Sequence, residues 1–300
     1  VFSNRAARIM VAEAGPGSDA QRKLGIVAGG GSLPHQVIEK CQAEGRPFFV
    51  FAIKGAAPQG SFDALPHCWI RLGAAGDYLK RAQDEGVQDM VMVGPVKRPS
   101  IFAMRPDATA LKILTKIGAK GLGDDGLLRA VIDYFEKSYG WRIVGVETLL
   151  SDMSSEVGQL GCHSPDETAR SDVKRGTEVL AAMAASDVGQ AVVVQEGLIL
   201  GVEAIEGTDA LIARCAGLKR EGPGGVLIKC AKQGQEMRAD RPTLGPKTVE
   251  GARDAGLRGI AVEAGRTLLV DRARMVEIAD AADMFLIAIP PLDDTHSAQG

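Results

Sequence analysis

From Lys23 onward, short apolar runs alternate with amphipathic stretches, the rhythm of βαβ units built around a parallel sheet. The apolar run Leu24–Ala28 predicts a strand, with Gly29, Gly30 and Gly31 forming the turn after it. Ser32 is placed to cap the next helix, Pro34 is tolerated in its first turn, and Val37, Ile38 and Cys41 fall on one helical face. Further strands are predicted over 48–53, 68–72 and 90–93, with a helix over 78–85 before the last. Beyond Gly94 the rhythm breaks, because Pro95 and Pro99 bracket Val96-Lys97-Arg98. That segment reads as an exposed loop at the carboxyl end of a strand, where open α/β sheets hold ligands. Helices over 110–117 and 126–137 and a strand over 141–146 complete the first half.

The stretch 150–164 mixes polar and turn residues without periodicity and marks the domain boundary. After it come a helix over 168–185 and two strands, 190–195 and 198–204, joined as a hairpin across Glu196-Gly197. Strands over 226–230, 259–262, 267–270 and 284–289 follow, with a helix over 247–255. The expected fold class is therefore α/β: a Rossmann-like parallel-sheet domain over 22–153 that binds a nucleotide or phosphate, then a mixed α/β catalytic domain over 154–292. Residues 1–21 read as a flexible extension, and 293–300 as a disordered tail.

Composition narrows the function. The chain has 300 residues, 45% hydrophobic and 24% charged, as in ordinary folded proteins. Aromatics make up only 4%, the net charge is -3 and no dense Lys/Arg run occurs, so nucleic acid is not an expected partner. Five cysteines without CxxC spacing argue for reduced thiols in the cytoplasm. No apolar run approaches the roughly 20 residues of a membrane span, and the first residues lack a signal peptide's apolar core.

Candidate chemistry lies at several points. A strand entering glycines and then a helix turns backbone N–H groups and the positive helix end toward an anion, which assigns Gly29, Gly30, Gly31 and Ser32 to phosphate binding. A dinucleotide fingerprint would need glycine where Pro34 stands and an acidic residue where Lys54 stands, so a dehydrogenase is disfavoured. Lys97 and Arg98 can neutralise a phosphate, and Asp124 and Asp125, opening a helix, either cap it or bind a ribose hydroxyl or magnesium. In the second half Glu203, Glu206, Thr208 and Asp209 crowd one short stretch. Like-charge repulsion there calls for relief, which Lys229 and Lys232 can supply. The segment 232–245 alternates cationic, amide and acidic side chains, among them Gln235, Arg238, Asp240 and Arg241, as an anionic substrate held with a divalent metal requires. The four histidines are dispersed in no metal-ligand spacing and read as structural. Neither GxSxG nor a P-loop occurs.

The motifs KLGIVAGGGSLP, VGPVKRPS, GLGDDGLL, VEAIEGTDALI and GQEMRADRPTLGPKTV together resemble the LpxI family of UDP-2,3-diacylglucosamine pyrophosphatases, in order, from about Lys23 to Pro290. The resemblance implies cleavage of that pyrophosphate to UMP and 2,3-diacylglucosamine 1-phosphate in lipid A synthesis, with magnesium as cofactor. It implies peripheral contact with the cytoplasmic side of the inner membrane, and leaves a homodimer open. It matches the family's essential aspartate to Asp240, the expected catalytic and metal-binding residue, beside which Lys229, Lys232 and Arg238 would steady the phosphates. A non-catalytic nucleotide-binding regulatory protein is the alternative.

Overall fold

The computed structural model describes residues 22–96, 104–117, 124–184, 186–232 and 234–292. Its first half carries five parallel strands, β1 Leu24–Ala28, β2 Phe48–Ile53, β3 His67–Ile70, β4 Asp89–Val93 and β5 Arg142–Ile143, in the order β3-β2-β1-β4-β5. Helices cover both faces, which is why β2 is apolar at consecutive positions rather than alternate ones. Helix α1 (Leu33–Glu44) packs Val37, Ile38 and Cys41 on Leu24, Ile26 and Val50. Helices α2 (Ala75–Asp84) and α4 (Asp124–Tyr139) bury Tyr78, Leu79 and Phe135 against Phe49 and Phe51 on the other face; α3 is Ala108–Ile117. The strand expected over 141–146 is only Arg142–Ile143, because the chain turns into a 3-10 helix at Val146–Thr148.

The second half holds a six-stranded mixed sheet in the order β6-β13-β11-β9-β7-β8. Its centre, β9 Val226–Lys229, β11 Gly259–Glu263 and β13 Phe285–Ile289, is parallel. The hairpin β7 Ala191–Gln195 and β8 Leu198–Val202 adds antiparallel strands at one edge, turning at Glu196 and Gly197, both with positive φ. The buried Asp172 of α5 (Glu167–Ala184) accepts the N–H groups of Glu196 and Gly197 at 3.0 and 2.7 Å, fastening that turn. At the other edge β6, Gly158–Gln159, pairs antiparallel with β13; it lies inside the stretch read as an unstructured boundary, and two residues are too few for an alternating pattern to register. Helix α5 covers one face, and α6 Thr208–Ala216, α7 Pro246–Asp254 and α8 Arg272–Ala281 the other.

The predicted strand over 267–270 contracts to β12, Leu268–Leu269, which pairs with β10, Thr243–Leu244, as a separate two-stranded sheet. Leu268 joins the hydrophobic core of the first half, with Val270 packed against it, so the chain after β11 reaches the first sheet's side. Among the described residues, no helix is long and apolar enough to cross a membrane.

Candidate active site

Parallel strands deliver their carboxyl ends to one edge of a sheet, and in the second half that edge carries the polar side chains the core cannot accept. Lys229 is the last residue of β9 and is 5% exposed. Its Nζ donates to Thr208 Oγ1 at 2.7 Å, and Thr208 Oγ1 donates in turn to Glu203 Oε1 at 2.7 Å. The other Glu203 oxygen accepts Gln190 N–H at 2.9 Å, so this buried carboxylate is satisfied on both sides. Burial pushes the Lys229 pKa below the usual lysine range, while the negative charges of Glu203, Asp209 and Asp240 pull it back up. Three carboxylates from three segments thus act on one ammonium.

Asp240 follows β9 on an irregular segment. Its N–H donates to Glu236 O at 2.9 Å, and its Oδ2 accepts from Gln235 Nε2 at 2.8 Å. The buried Gln235 is itself oriented by Lys232 N–H, which donates to its Oε1 at 2.9 Å. Asp240 Oδ1 accepts no hydrogen bond from a described residue, which leaves a half-buried carboxylate oxygen available for a water or a cation. The flanking arginines do not pair with it. The Arg238 guanidinium makes two bonds to Glu236, at 2.8 and 2.9 Å, and one at 2.7 Å to Glu136 of α4. Arg241 bonds to Met237 O and Gly265 O, each at 3.1 Å, and lies 3.4 Å from Glu147. These contacts, with Ala239 packed against the aromatic core of the first half, bridge the two sheets through the segment that carries Asp240.

Other candidates are dispersed by their partners. Lys232 pairs with Asp187 rather than relieving the 203–209 carboxylates. Glu206 turns to Arg214 at 3.0 Å. Asp209, at the first turn of α6, meets Lys247 at 2.9 Å and Thr248 at 3.3 Å. One residue escaped the sequence reading: Glu263, fully buried at the end of β11, accepts Ala231 N–H at 2.7 Å and Leu292 N–H at 3.0 Å. It holds the chain where it leaves β9 toward Lys232. Its only sequence signal is an acidic residue closing an apolar strand.

In the first half, β1 and β4 are neighbours whose connections leave in opposite directions, so the glycine turn stands at the crossover point of the sheet. Gly29 N–H donates to Val93 O at 2.8 Å and Gly30 N–H to Pro95 O at 3.1 Å. A Cβ on Gly29 would lie 2.6 Å from Gly94 O, so glycine is needed here for backbone contact. Gly31 and Ser32 are the exposed part of the turn. The expected Ser32 cap does not form: its backbone is helical, and its hydroxyl meets Gln36 Nε2 at 3.5 Å instead. Lys97 and Arg98 lie outside the described residues, as do the side chains of Asp124 and Asp125, although these two open α4.

Residues 23–153 match the LpxI N-terminal domain and residues 156–287 the LpxI C-terminal domain. Over 277 residues, 90% of this chain and 98% of the relative, the sequence is 40% identical to UDP-2,3-diacylglucosamine pyrophosphatase LpxI of Caulobacter vibrioides. The chain belongs to the LpxI family.

Proposed function

We propose that this chain hydrolyses the pyrophosphate of UDP-2,3-diacylglucosamine, releasing UMP and 2,3-diacylglucosamine 1-phosphate for lipid A synthesis. The observation that carries this reading is the 40% identity, across 90% of the chain, to a protein named for that activity. The carboxyl edge of the second sheet offers matching chemistry. Water must form a bond to one phosphorus while the bridging oxygen leaves with the other phosphate, and the anionic diester repels an incoming hydroxide. Lys229 supplies positive charge where that repulsion arises, and the amino end of α6, beside it, adds unpaired N–H groups. Lys232 and Arg238 are each closed onto carboxylates, so Lys229 is the favoured phosphate partner.

Asp240, with Oδ2 anchored by Gln235, orients the attacking water through Oδ1. The same free oxygen fits magnesium, which takes as few as one protein carboxylate and completes its shell with water and phosphate. Bound there, magnesium would neutralise phosphate charge and acidify a coordinated water. Gly31 and Ser32 are the part of the first-half turn left to meet the nucleotide. The acyl chains call for a peripheral approach to the cytoplasmic face of the inner membrane.

The test is direct. Purified full-length chain is incubated with UDP-2,3-diacylglucosamine, with magnesium or with a chelator, and the products are weighed by mass spectrometry. UMP and the acylated sugar phosphate, formed with magnesium alone, are expected. Uridine nucleotide binding without UMP release would favour the regulatory alternative.

A further inference from the structure

The opposite edge of the second sheet gathers a different set of side chains. After β6 the chain runs antiparallel to β13 toward the amino end of that strand, with Leu160 N–H donating to Leu286 O at 2.9 Å. This brings Cys162 and His163 to the carboxyl end of α8, where Asp280 stands, and to Asp283, just before β13. One ligand atom each from Cys162, His163 and Asp280 lies within 4.8 Å of the other two. His163 Nε2 is also 3.7 Å from Asp283 Oδ1. The loop is held in this position: Cys162 N–H donates to Asp280 Oδ1 at 2.8 Å, and His163 Nε2 lies 3.3 Å from Asp280 O. Gly161 permits the approach, since a Cβ there would fall 2.5 Å from Asp280 Oδ1.

The donor set is one sulfur, one imidazole nitrogen and carboxylate oxygen. Magnesium and calcium take oxygen ligands and would leave the sulfur and nitrogen unused. Zinc accepts all three kinds and is satisfied by four, and with Asp283 the count reaches four. Cys162 is exposed and the Asp283 side chain is 93% exposed, so a metal can enter and Asp283 is free to swing onto it. Asp280 and Asp283 precede β13, whereas Lys229 closes the parallel strand β9, so the cluster sits at the end of the sheet away from the candidate active site.

We propose that Cys162, His163, Asp280 and Asp283 form a zinc site that clasps the segment after β6 to the end of α8. It secures the two-residue edge strand, whose own ladder is short.

The test uses full-length chain stripped of metal by a chelator and then dialysed free of it. Cobalt serves as the spectroscopic probe, and zinc affinity is read by competition with a chromophoric indicator. Wild type is expected to show thiolate-to-cobalt charge-transfer absorption in the near ultraviolet, to lose it when zinc is added, and to melt at higher temperature with zinc. Cys162→Ser should abolish the absorption, and Cys162→Ser and His163→Gln should each weaken zinc binding by at least about 10-fold. Excess magnesium should not displace the metal. Any one of three results would overturn the proposal: no thiolate absorption in wild type, the same absorption in Cys162→Ser, or unchanged zinc affinity in His163→Gln. His163→Gln keeps the thiol, so it decides the question even if Cys162→Ser folds poorly.

Discussion

Lys229 Nζ lies 2.7 Å from Thr208 Oγ1, whose proton is directed to Glu203. The hydroxyl therefore accepts from Lys229, an arrangement that supports the charged ammonium in a site whose burial opposes it. Thr208→Val removes that acceptor and should lower the Lys229 pKa further. The alkaline limb of the kcat/KM profile, set by loss of the ammonium's proton, should move to lower pH, while Thr208→Ser leaves it in place. An unmoved limb in Thr208→Val would take Lys229 out of the reaction.

Asp240→Asn keeps the shape of the side chain but removes the charge from the oxygen left free beside the Gln235 bond. Turnover should fall at least roughly 100-fold, the scale for losing a key electrostatic or acid-base group. Substrate affinity should change far less. Single-turnover UMP release and thermal melting on one sample check this; a fully active but less stable protein would make Asp240 structural.

The glycine turn separates packing from ligand contact. Gly29→Ala drives a Cβ to within 2.7 Å of both Gly94 O and Pro95 O, and should cost about 3 kcal/mol, the upper range for overpacking. Gly31→Ala meets only Pro95 Cδ at 3.6 Å but has φ +75, at a cost of about 1–2 kcal/mol. Urea unfolding orders the two. Uridine nucleotide titration of folded Gly31→Ala should show weakened binding; unchanged affinity would leave the turn a purely structural role.

The Arg238 guanidinium holds the Glu236 carboxylate below its ordinary pKa of 4.5. Folded Glu236 therefore keeps its charge to lower pH than unfolded Glu236. The stability this provides is full above the unfolded value and is lost as pH falls through the lowered one. Arg238→Met should cost about 1–2 kcal/mol at neutral pH, allowing for a guanidinium one-third exposed. The gap from wild type should narrow in acid. Urea midpoints across that range measure it, and a gap independent of pH would contradict the pairing.

Regular elements were legible in the sequence because their signals are local. Runs such as Leu24–Ala28 and Val226–Lys229 are apolar because both faces of a parallel strand are covered, and the Glu196-Gly197 turn announces its own hairpin. Helices α6 and α8 are not among the predicted elements, although Leu211, Ile212 and Cys215, and Met275, Ile278 and Ala279, are buried at helical spacing; at 9 and 10 residues, with no side-chain cap to mark where they begin, they gain their meaning against the sheet they cover. The carboxylates of 203–209 and the cations of 229–241 were likewise visible as residues, but not their pairings. Which acid meets which base depends on where separate strands end, so Glu203 reaches Lys229 through Thr208, while Lys232 is taken by Asp187 and Arg238 by Glu236 and Glu136. His163 shows the limit most plainly. In the chain it stands in no ligand spacing, yet the antiparallel return of β6 beside β13 brings it and Cys162 to Asp280. A local pattern records what each segment needs to bury, whereas contacts between distant segments follow from sheet order and register, which only the folded chain decides.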